Sequence, residues 1–141
     1  MKVSYTVSGD DYIQAGKASA ELKRLLGRLG VDPSVIKRSV VAMYEGEMNM
    51  AIHAHGGVAE IEIVPELVTI VLRDSGPGIP DLGLAMTEGY STASEQIREM
   101  GFGAGMGMPN MERNSDTMRV DTALGEGTCV TMTFRIPAGG G

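Results

Sequence analysis

R-D-S-G-P-G-I-P-D at residues 73–81 and G-F-G-A-G-M-G-M at residues 101–108 are two glycine-rich stretches that we expect the rest of the chain to hold in place. The first stretch follows V-T-I-V-L at residues 68–72. A short run rich in β-branched residues is typical of a buried strand, and this strand would place Asp74 at its end. We therefore expect Asp74 to lie at an edge of the fold, where a ligand can reach it.

The glycines in both stretches predict close backbone approach to a ligand. Gly76 and Gly78 flank Pro77, and glycine permits conformations and contacts that a side chain would block. The second stretch has several backbone amides with few side chains over them, and it opens a predicted helix whose N-terminus attracts anions. These features together predict the two glycine-rich walls of one phosphate-binding pocket.

The composition is that of an ordinary globular domain. The chain has 141 residues, 43% of them hydrophobic, and its mean hydropathy is close to zero. We predict one domain over residues 1–137 and a disordered tail over residues 138–141. Eleven methionines and no tryptophan predict an aliphatic, methionine-rich core.

Charge and cysteine usage exclude several classes of protein. The formal net charge of −6 argues against non-specific nucleic-acid binding, which needs a positive surface. The single cysteine, Cys129, permits no internal disulfide. Because the chain shows neither a signal region nor a run of about 18 apolar residues, we predict a soluble cytoplasmic protein without a membrane partner.

The N-terminal part predicts an edge strand over residues 1–7 and then a helix that starts near Ser8–Asp11. Apolar residues at three- and four-residue spacing predict the buried stripe of this helix: Ala15, Ala18, Leu22, Leu25 and Leu29. The cations that lie off the stripe form either a solvated face or a docking surface for an acidic partner: Lys17, Lys23, Arg24 and Arg28.

A second helix is predicted from Asp32–Pro33, an N-cap followed by proline at the first helical position, to about His53, with Gly56–Gly57 ending it. Glu45, Asn49 and His53 are four residues apart and share one face, whereas Glu47 points nearly the opposite way. This polar stripe is either an exposed face or the border of a cavity.

The remaining segments alternate strands with one more helix. The sequence predicts a hairpin of strands 58–64 and 68–72, a lid over residues 81–99 with a helical pattern at residues 82–86, a helix from the second glycine stretch to about Asn114 with Pro109 in its first turn, and a hairpin of strands 118–123 and 128–136.

The phosphate motif is neither of the two common ones. The chain contains no G-x-x-x-x-G-K-[ST], and the second stretch lacks G-x-G-x-x-G spacing. The order of E-G-E-M-N at residues 45–49, D-S-G-P-G at residues 74–78 and the glycines of residues 101–107 resembles the ATPase superfamily of gyrase B, Hsp90, histidine kinases and MutL.

Within that superfamily the chain is most similar to the serine/threonine switch kinases and anti-sigma factor kinases of bacterial partner-switching systems. The motifs G-Y-S-T, G-A-G-M-G-M-P-N-M and G-E-G-T extend the resemblance over nearly the whole chain. It implies an α+β fold of the Bergerat type, a two-layer α/β sandwich with a mixed, mostly antiparallel sheet covered on one face by helices. A histidine-kinase catalytic domain matches less well, because a helical phosphoacceptor segment would precede it.

The resemblance gives the polar residues distinct roles around ATP and Mg²⁺. Asn49 would be the metal ligand, since Mg²⁺ prefers a few oxygen ligands together with phosphates and water. Glu45 would be the general base that takes the proton from an attacking hydroxyl. Asp74 would accept a hydrogen bond from the exocyclic amine of adenine, which predicts ATP over GTP because guanine presents a carbonyl there.

Other positions are assigned to the nucleotide by the same resemblance. Thr128 would lie near adenine, His53 would orient its neighbours on the helix, and Arg98 is the only cation of the predicted lid. The further positions implied to contact the nucleotide are Gly76, Gly78, Ile79, Gly101, Gly103, Ala104, Gly105, Met106, Gly107 and Met108.

Two functions follow from this resemblance and compete. The first is a protein kinase that transfers the γ-phosphoryl group of ATP to a hydroxyl of a STAS-domain antagonist protein. The second is a non-catalytic, ATP-dependent binding module that sequesters a sigma factor or activates a phosphatase. Glu45 favours the first. The sequence leaves open which protein is the substrate and whether the chain forms a homodimer.

Overall fold

The structure is a computed structural model that describes residues 1–9, 16–54, 56–78, 86 and 107–137, excluding the side chain of His53. The predicted lid over residues 81–99, except Met86, and the predicted tail lie outside these ranges. Asp10–Ala15, at the predicted start of the first helix, also lie outside them.

Five strands and three helices make up the described part of the chain. In chain order they are β1 (Lys2–Ser8), α1 (Lys17–Arg28), α2 (Pro33–His53), β2 (Gly56–Val64), β3 (Leu67–Asp74), α3 (Gly107–Asn114), β4 (Thr117–Ala123) and β5 (Gly127–Arg135). The predicted strands, both hairpins and the helix that ends at Asn114 are confirmed. None of these helices is long and apolar enough to cross a membrane.

The five strands form one sheet in the order β1-β2-β3-β5-β4, and every described pairing is antiparallel. Each central strand has one buried face and one face that is more open to solvent, because successive side chains point to opposite sides. The buried face carries Ala59, Ile61 and Ile63 of β2, Val68, Ile70 and Leu72 of β3, and Val130, Met132 and Phe134 of β5. The helices cover this face, so the predicted α+β, two-layer architecture is confirmed.

The methionine-rich core is also confirmed. Six methionine side chains are buried among the described residues: Met43, Met48, Met50, Met108, Met111 and Met132. A flexible thioether fills irregular gaps, and here such side chains pack between the helices and the sheet.

Helix α1 is amphipathic, but its buried stripe differs from the predicted one. Leu22 and Leu26 are fully buried, while Leu29 is 45% exposed. Leu29 was expected in the core because it is seven residues from Leu22. It is instead the C-cap residue, where the helix has ended, so helical spacing no longer directs it inward. The four cations are exposed, and Arg24 forms an ion pair with Glu21 at 2.9 Å.

Helix α2 begins as predicted. The Asp32 side chain accepts a hydrogen bond from the Ser34 amide at 2.9 Å, and the bonds from Ser34 lower the pKa of the Asp32 carboxyl. The helix ends at His53 with Ala54 as its C-cap. Gly56–Gly57 do not end the helix as expected, because both belong to β2. A side chain at Gly57 would meet the Arg73 carbonyl oxygen at 2.4 Å, which requires glycine inside the strand.

Helix α2 lies close against β3 at Gly46. A Cβ atom at this position would lie 2.1 Å from Leu72 Cδ1 and 3.5 Å from Met111 Sδ. Leu72 is itself buried, so the surrounding core restricts its movement. The absence of a side chain at Gly46 therefore sets the distance between the helix and the sheet.

Asp116, the residue before β4, connects α2 to the sheet. Its carboxylate accepts hydrogen bonds from the Arg135 amide at 2.6 Å and from both terminal nitrogens of Arg38 at 3.3 Å. The Arg135 amide and then the Arg38 guanidinium lower the pKa of Asp116 below its ordinary value of 3.8. Arg38 also reaches the Asn114 carbonyl oxygen at the end of α3.

We expect Asp116→Asn to lower the free energy of unfolding at pH 7 by roughly 0.5–1.5 kcal/mol, the range for one hydrogen bond. A carboxyl whose pKa is lowered by folding stabilises the protein fully above pH 3.8, and this contribution disappears as the pH falls further through the folded-state value. The difference between variant and wild type in urea unfolding should therefore shrink below pH 3.8. Asp121→Asn, in the exposed ion pair with Arg119, is the matched control and should change little at either pH.

Candidate functional site

Asp74 is held at the end of β3 by backbone amides. Its Oδ1 accepts hydrogen bonds from the amide of Gly76 at 2.9 Å and from the amide of Thr128 at 3.2 Å. Thr128 pairs with Asp74 in the sheet, and its hydroxyl lies 2.9 Å from the hydroxyl of Thr122. The carboxylate is therefore fixed by the turn and by β5 through one oxygen. Within the described ranges, Oδ2 receives no hydrogen bond.

The glycine turn after Asp74 is packed between two elements. A Cβ atom at Gly76 would lie 2.7 Å from the Ala54 Cα atom, so the turn touches the end of α2. Gly78 has φ +80°, and a Cβ atom there would meet the Ala123 carbonyl oxygen at 2.5 Å. The Gly125 amide also donates to the Pro77 carbonyl oxygen at 2.9 Å. The turn is thus held between α2 and the β4–β5 hairpin.

Glu45 and Asn49 lie on the face of α2 that meets α3. Both side chains are half-buried. A Cβ atom at Gly107 would lie 2.9 Å from the Asn49 Oδ1 atom, so the backbone at the start of α3 packs on this carboxamide. One turn further along α3, the Asn110 Nδ2 atom donates to the Glu45 Oε1 atom at 3.3 Å. The polar stripe is therefore a face partly covered by another helix.

These contacts follow one another along α2. Glu45 and Asn49 are four residues apart, which is about 6 Å of helix rise, and Ala54 lies about 7.5 Å beyond Asn49. In this order α2 meets Asn110 and Gly107 of α3, and then Gly76 in the turn after β3. The two clusters around Asp74 and around Asn49 are therefore joined by a single helix.

Glu47 lies on the other side of α2 and is 2% exposed. Its carboxylate accepts hydrogen bonds from the amides of Gly16 at 2.8 Å, Ala18 at 3.2 Å and Ser19. Helix α1 has no acidic residue in its first turn and no side-chain cap of its own, because its N-cap residue is Gly16. Glu47 therefore supplies the cap of α1 from α2 and satisfies amides that would otherwise be unpaired.

The structure brings eight of the predicted site residues into two groups. Glu45, Asn49, Gly107 and Met108 lie at the α2–α3 contact, and Asp74, Gly76, Gly78 and Thr128 lie at the turn after β3. The Met108 side chain is buried in the core, so only its backbone is available to a ligand. The remaining predicted positions lie outside the described residues: Ile79, Arg98, Gly101, Gly103, Ala104, Gly105 and Met106, together with the side chain of His53.

Sequence analysis did not single out Asn110. The signal available was the predicted helix over residues 107–114, which carries Asn110 and Asn114 one turn apart and therefore on one face. Nothing in that pattern showed that this face would meet Glu45, because the contact spans 65 residues of sequence.

Comparisons with known proteins identify the family of the chain. The family described as "Histidine kinase-like ATPase domain" matches residues 10–134. The "Serine/threonine-protein kinase RsbT" of Bacillus subtilis is 30% identical over 122 residues, which is 84% of both chains. The "Anti-sigma F factor" of Clostridium novyi is 34% identical over 101 residues, which is 67% of both chains.

Two solved structures are similar in fold. The structure of the RsbU and RsbW domains of Rv1364c from Mycobacterium tuberculosis superposes with a TM-score of 0.61 at 21% identity, over 95% of this chain and 32% of that one. A mycobacterial sensor histidine kinase, MprB, gives a TM-score of 0.53 at 19% identity, over 96% and 98% of the two chains. At these identities the likeness supports the fold alone.

We expect Glu47→Gln to destabilise the protein by roughly 1–3 kcal/mol, because the amide group of glutamine would turn a donor toward backbone amides that need an acceptor. Urea unfolding followed by far-ultraviolet circular dichroism measures this loss. Glu66→Gln is the matched control, since this exposed side chain caps no helix. Equal stability of the two variants would contradict the capping role of Glu47.

Proposed function

Because the chain belongs to the histidine kinase-like ATPase domain family, whose membership implies ATP binding, we propose that it is an ATP-dependent protein serine/threonine kinase of a bacterial partner-switching system. The observation that carries the proposal is the place of Glu45. This carboxylate lies one helical turn from Asn49, on the face of α2 that meets the N-terminal part of α3. Such a position suits a base next to bound phosphates.

The cluster around Asp74 fits the adenine end of ATP. Oδ1 is already used by two backbone amides, while Oδ2 accepts no hydrogen bond from the described residues. A free carboxylate oxygen suits the exocyclic amine of adenine and repels the carbonyl oxygen of guanine. The backbone at Gly76 packs closely on Ala54, so a side chain at this position would clash. We propose that Asp74 selects ATP over GTP and that Thr128 lies beside the base.

The cluster around Asn49 fits the phosphates. Its carboxamide oxygen lies against the backbone of Gly107, so a neutral oxygen ligand and the N-terminal amides of α3 occupy one place. We propose that Asn49 holds Mg²⁺ and that the Gly107 amide faces a phosphate oxygen. When bound, Mg²⁺ neutralises phosphate charge and needs few protein ligands.

The proposed reaction moves one phosphoryl group and one proton. Glu45 accepts the proton of a serine or threonine hydroxyl of the protein substrate. The hydroxyl oxygen forms a bond to the γ-phosphorus of ATP, and the bond from that phosphorus to the bridging oxygen breaks with its electron pair leaving on ADP. The products are a phosphorylated partner and ADP, and Glu45 then releases its proton to water.

We propose a STAS-domain antagonist protein as the substrate. Phosphorylation adds close to two negative charges to the substrate, next to Glu45. Repulsion between these charges and a carboxylate would weaken the complex and release the partner. Exposed cations along α1 offer a docking surface for acidic groups of such a partner elsewhere in the interface: Lys17, Lys23, Arg24 and Arg28.

The second candidate is a non-catalytic binding module, and the similarity to anti-sigma F factors favours it. In this case ATP would change the affinity for a sigma factor without phosphate transfer. The two candidates share the same nucleotide pocket, so nucleotide binding alone does not separate them. The fate of the γ-phosphoryl group does.

Asp74→Asn should weaken ATP binding by roughly 1–3 kcal/mol, because one charge-assisted hydrogen bond to adenine is lost. The asparagine oxygen can still accept from the Gly76 and Thr128 amides, so the free energy of unfolding should change less than in Asp74→Ala. Calorimetric titration with ATP and GTP measures both affinities. Equal affinity of the wild-type protein for ATP and GTP would contradict the adenine role of Asp74.

Glu45→Ala should bind Mg²⁺-ATP and partner almost as the wild type does but transfer no phosphate. The assay follows labelled γ-phosphate from ATP to a co-encoded STAS-domain protein, with affinity for both ligands measured on the same samples. Transfer at the wild-type rate would show that Glu45 is not the base. Absence of transfer by the wild type, with ATP still changing partner affinity, would favour the binding module.

A further inference from the structure

Asn110 is the one described side chain that donates a hydrogen bond to Glu45. Its Nδ2 atom lies 3.3 Å from Glu45 Oε1, slightly longer than the usual N–H···O distance. The opposite orientation of the amide would place its oxygen against a carboxylate oxygen, and two acceptors repel each other. The chemistry of the pair therefore requires the amide nitrogen of Asn110 to face Glu45.

The contact engages only one oxygen of the carboxylate. Glu45 Oε2 accepts no hydrogen bond from the residues that the structure describes, so it remains available to a hydroxyl. A free glutamate side chain rotates about three bonds, and ordering it costs conformational entropy. A donor that holds Oε1 orders the side chain before the substrate arrives, and Oε2 is left to accept the proton.

The contacts of helix α3 fix the position of Asn110. Asn110 is one turn after Gly107, which packs on Asn49, and one turn before Asn114, whose carbonyl oxygen accepts from Arg38 of α2. The Asn114 side chain also donates to the Asn110 carbonyl oxygen at 2.8 Å. The position of Asn110 is thus determined by contacts on both sides of it, and α3 runs antiparallel to α2 along this line.

We infer that Asn110 is a positioning residue that orients Glu45 for proton removal and has no contact with ATP in this role. The inference rests on the proposed function of Glu45 as the base. In this arrangement α3 contacts both proposed groups of α2. Its Gly107 lies at the metal ligand, Asn49, and its Asn110 lies at the base, Glu45.

Two variants of Asn110 separate this role from a structural one. Asn110 is the fourth residue of α3, and an acidic side chain in the first turn of a helix is stabilising. This gain offsets only part of the repulsion that Asn110→Asp introduces against the Glu45 carboxylate, so a small loss of stability is expected in either case. A structural role predicts that the folded fraction of Asn110→Asp transfers phosphate at the wild-type rate. The positioning role predicts that the folded fraction transfers phosphate much more slowly, because Glu45 has lost its donor and faces another carboxylate.

The kinetic experiment measures single-turnover phosphate transfer from ATP to a co-encoded STAS-domain protein. Asn110→Ala should lower the rate about tenfold, as expected from loss of one hydrogen bond to a charged group, and Asn110→Asp should lower it further. Affinity for ATP should remain unchanged in both variants. Glu112→Ala, which removes an exposed side chain of the same helix, is the matched control and should keep the wild-type rate. A wild-type rate in both Asn110 variants would overturn the inference.

Nuclear magnetic resonance tests the contact independently of transfer. The Asn110 side-chain amide signals should shift in Glu45→Gln, because an uncharged amide replaces the carboxylate that accepts the hydrogen bond, and they should stay in place in Glu112→Gln on the same helix. Asn110 signals that are the same in Glu45→Gln as in the wild type would overturn the inference. If the wild type transfers no phosphate while this shift is present, the proposed function fails and the contact between Asn110 and Glu45 stands.

Discussion

Three consecutive residues of α2 face three different elements, and the arrangement of the domain depends on this division. Glu45 meets α3 through Asn110, Gly46 packs on Leu72 of β3, and Glu47 caps α1. Each helical residue is rotated by about 100° from the one before, so adjacent side chains point in different directions. The half-buried carboxylate of Glu45 and the interior carboxylate of Glu47 therefore make different contacts. Gly46, between them, lets the helix approach the sheet closely.

This division leaves one line of contacts along α2 for the nucleotide pocket that we propose. Along α2, Glu45 and Asn49 contact α3, and Ala54 then contacts the turn after β3. An elongated nucleotide placed beside them would have its base near Asp74 and its terminal phosphate near Glu45. The proposed chemistry needs this order, because Glu45, the residue that accepts the proton, must lie at the phosphate end of the nucleotide.

Patterns within one element predicted the elements themselves and the polar stripe of α2, because periodicity is a local property. Contacts between distant parts of the sequence were less accessible. The cap that Glu47 provides to α1 spans 28 to 31 residues, and the bond from Asn110 to Glu45 spans 65. The assignment of Leu29 to the core was wrong for a local reason, because the helix ends at Arg28 and helical spacing does not apply beyond it. The roles of the site residues remain predictions.

We propose that one molecule of ATP occupies both the Asp74 cluster and the Asn49 cluster. A titration with Mg²⁺-ATP, followed by amide chemical shifts, tests this directly. The backbone amides of Thr128 and Gly107 and the side-chain amide of Asn49 should shift together, with one dissociation constant. GTP at the same concentrations should leave them unchanged. Shifts confined to one cluster, or two different dissociation constants, would show that the two clusters do not bind one ATP molecule.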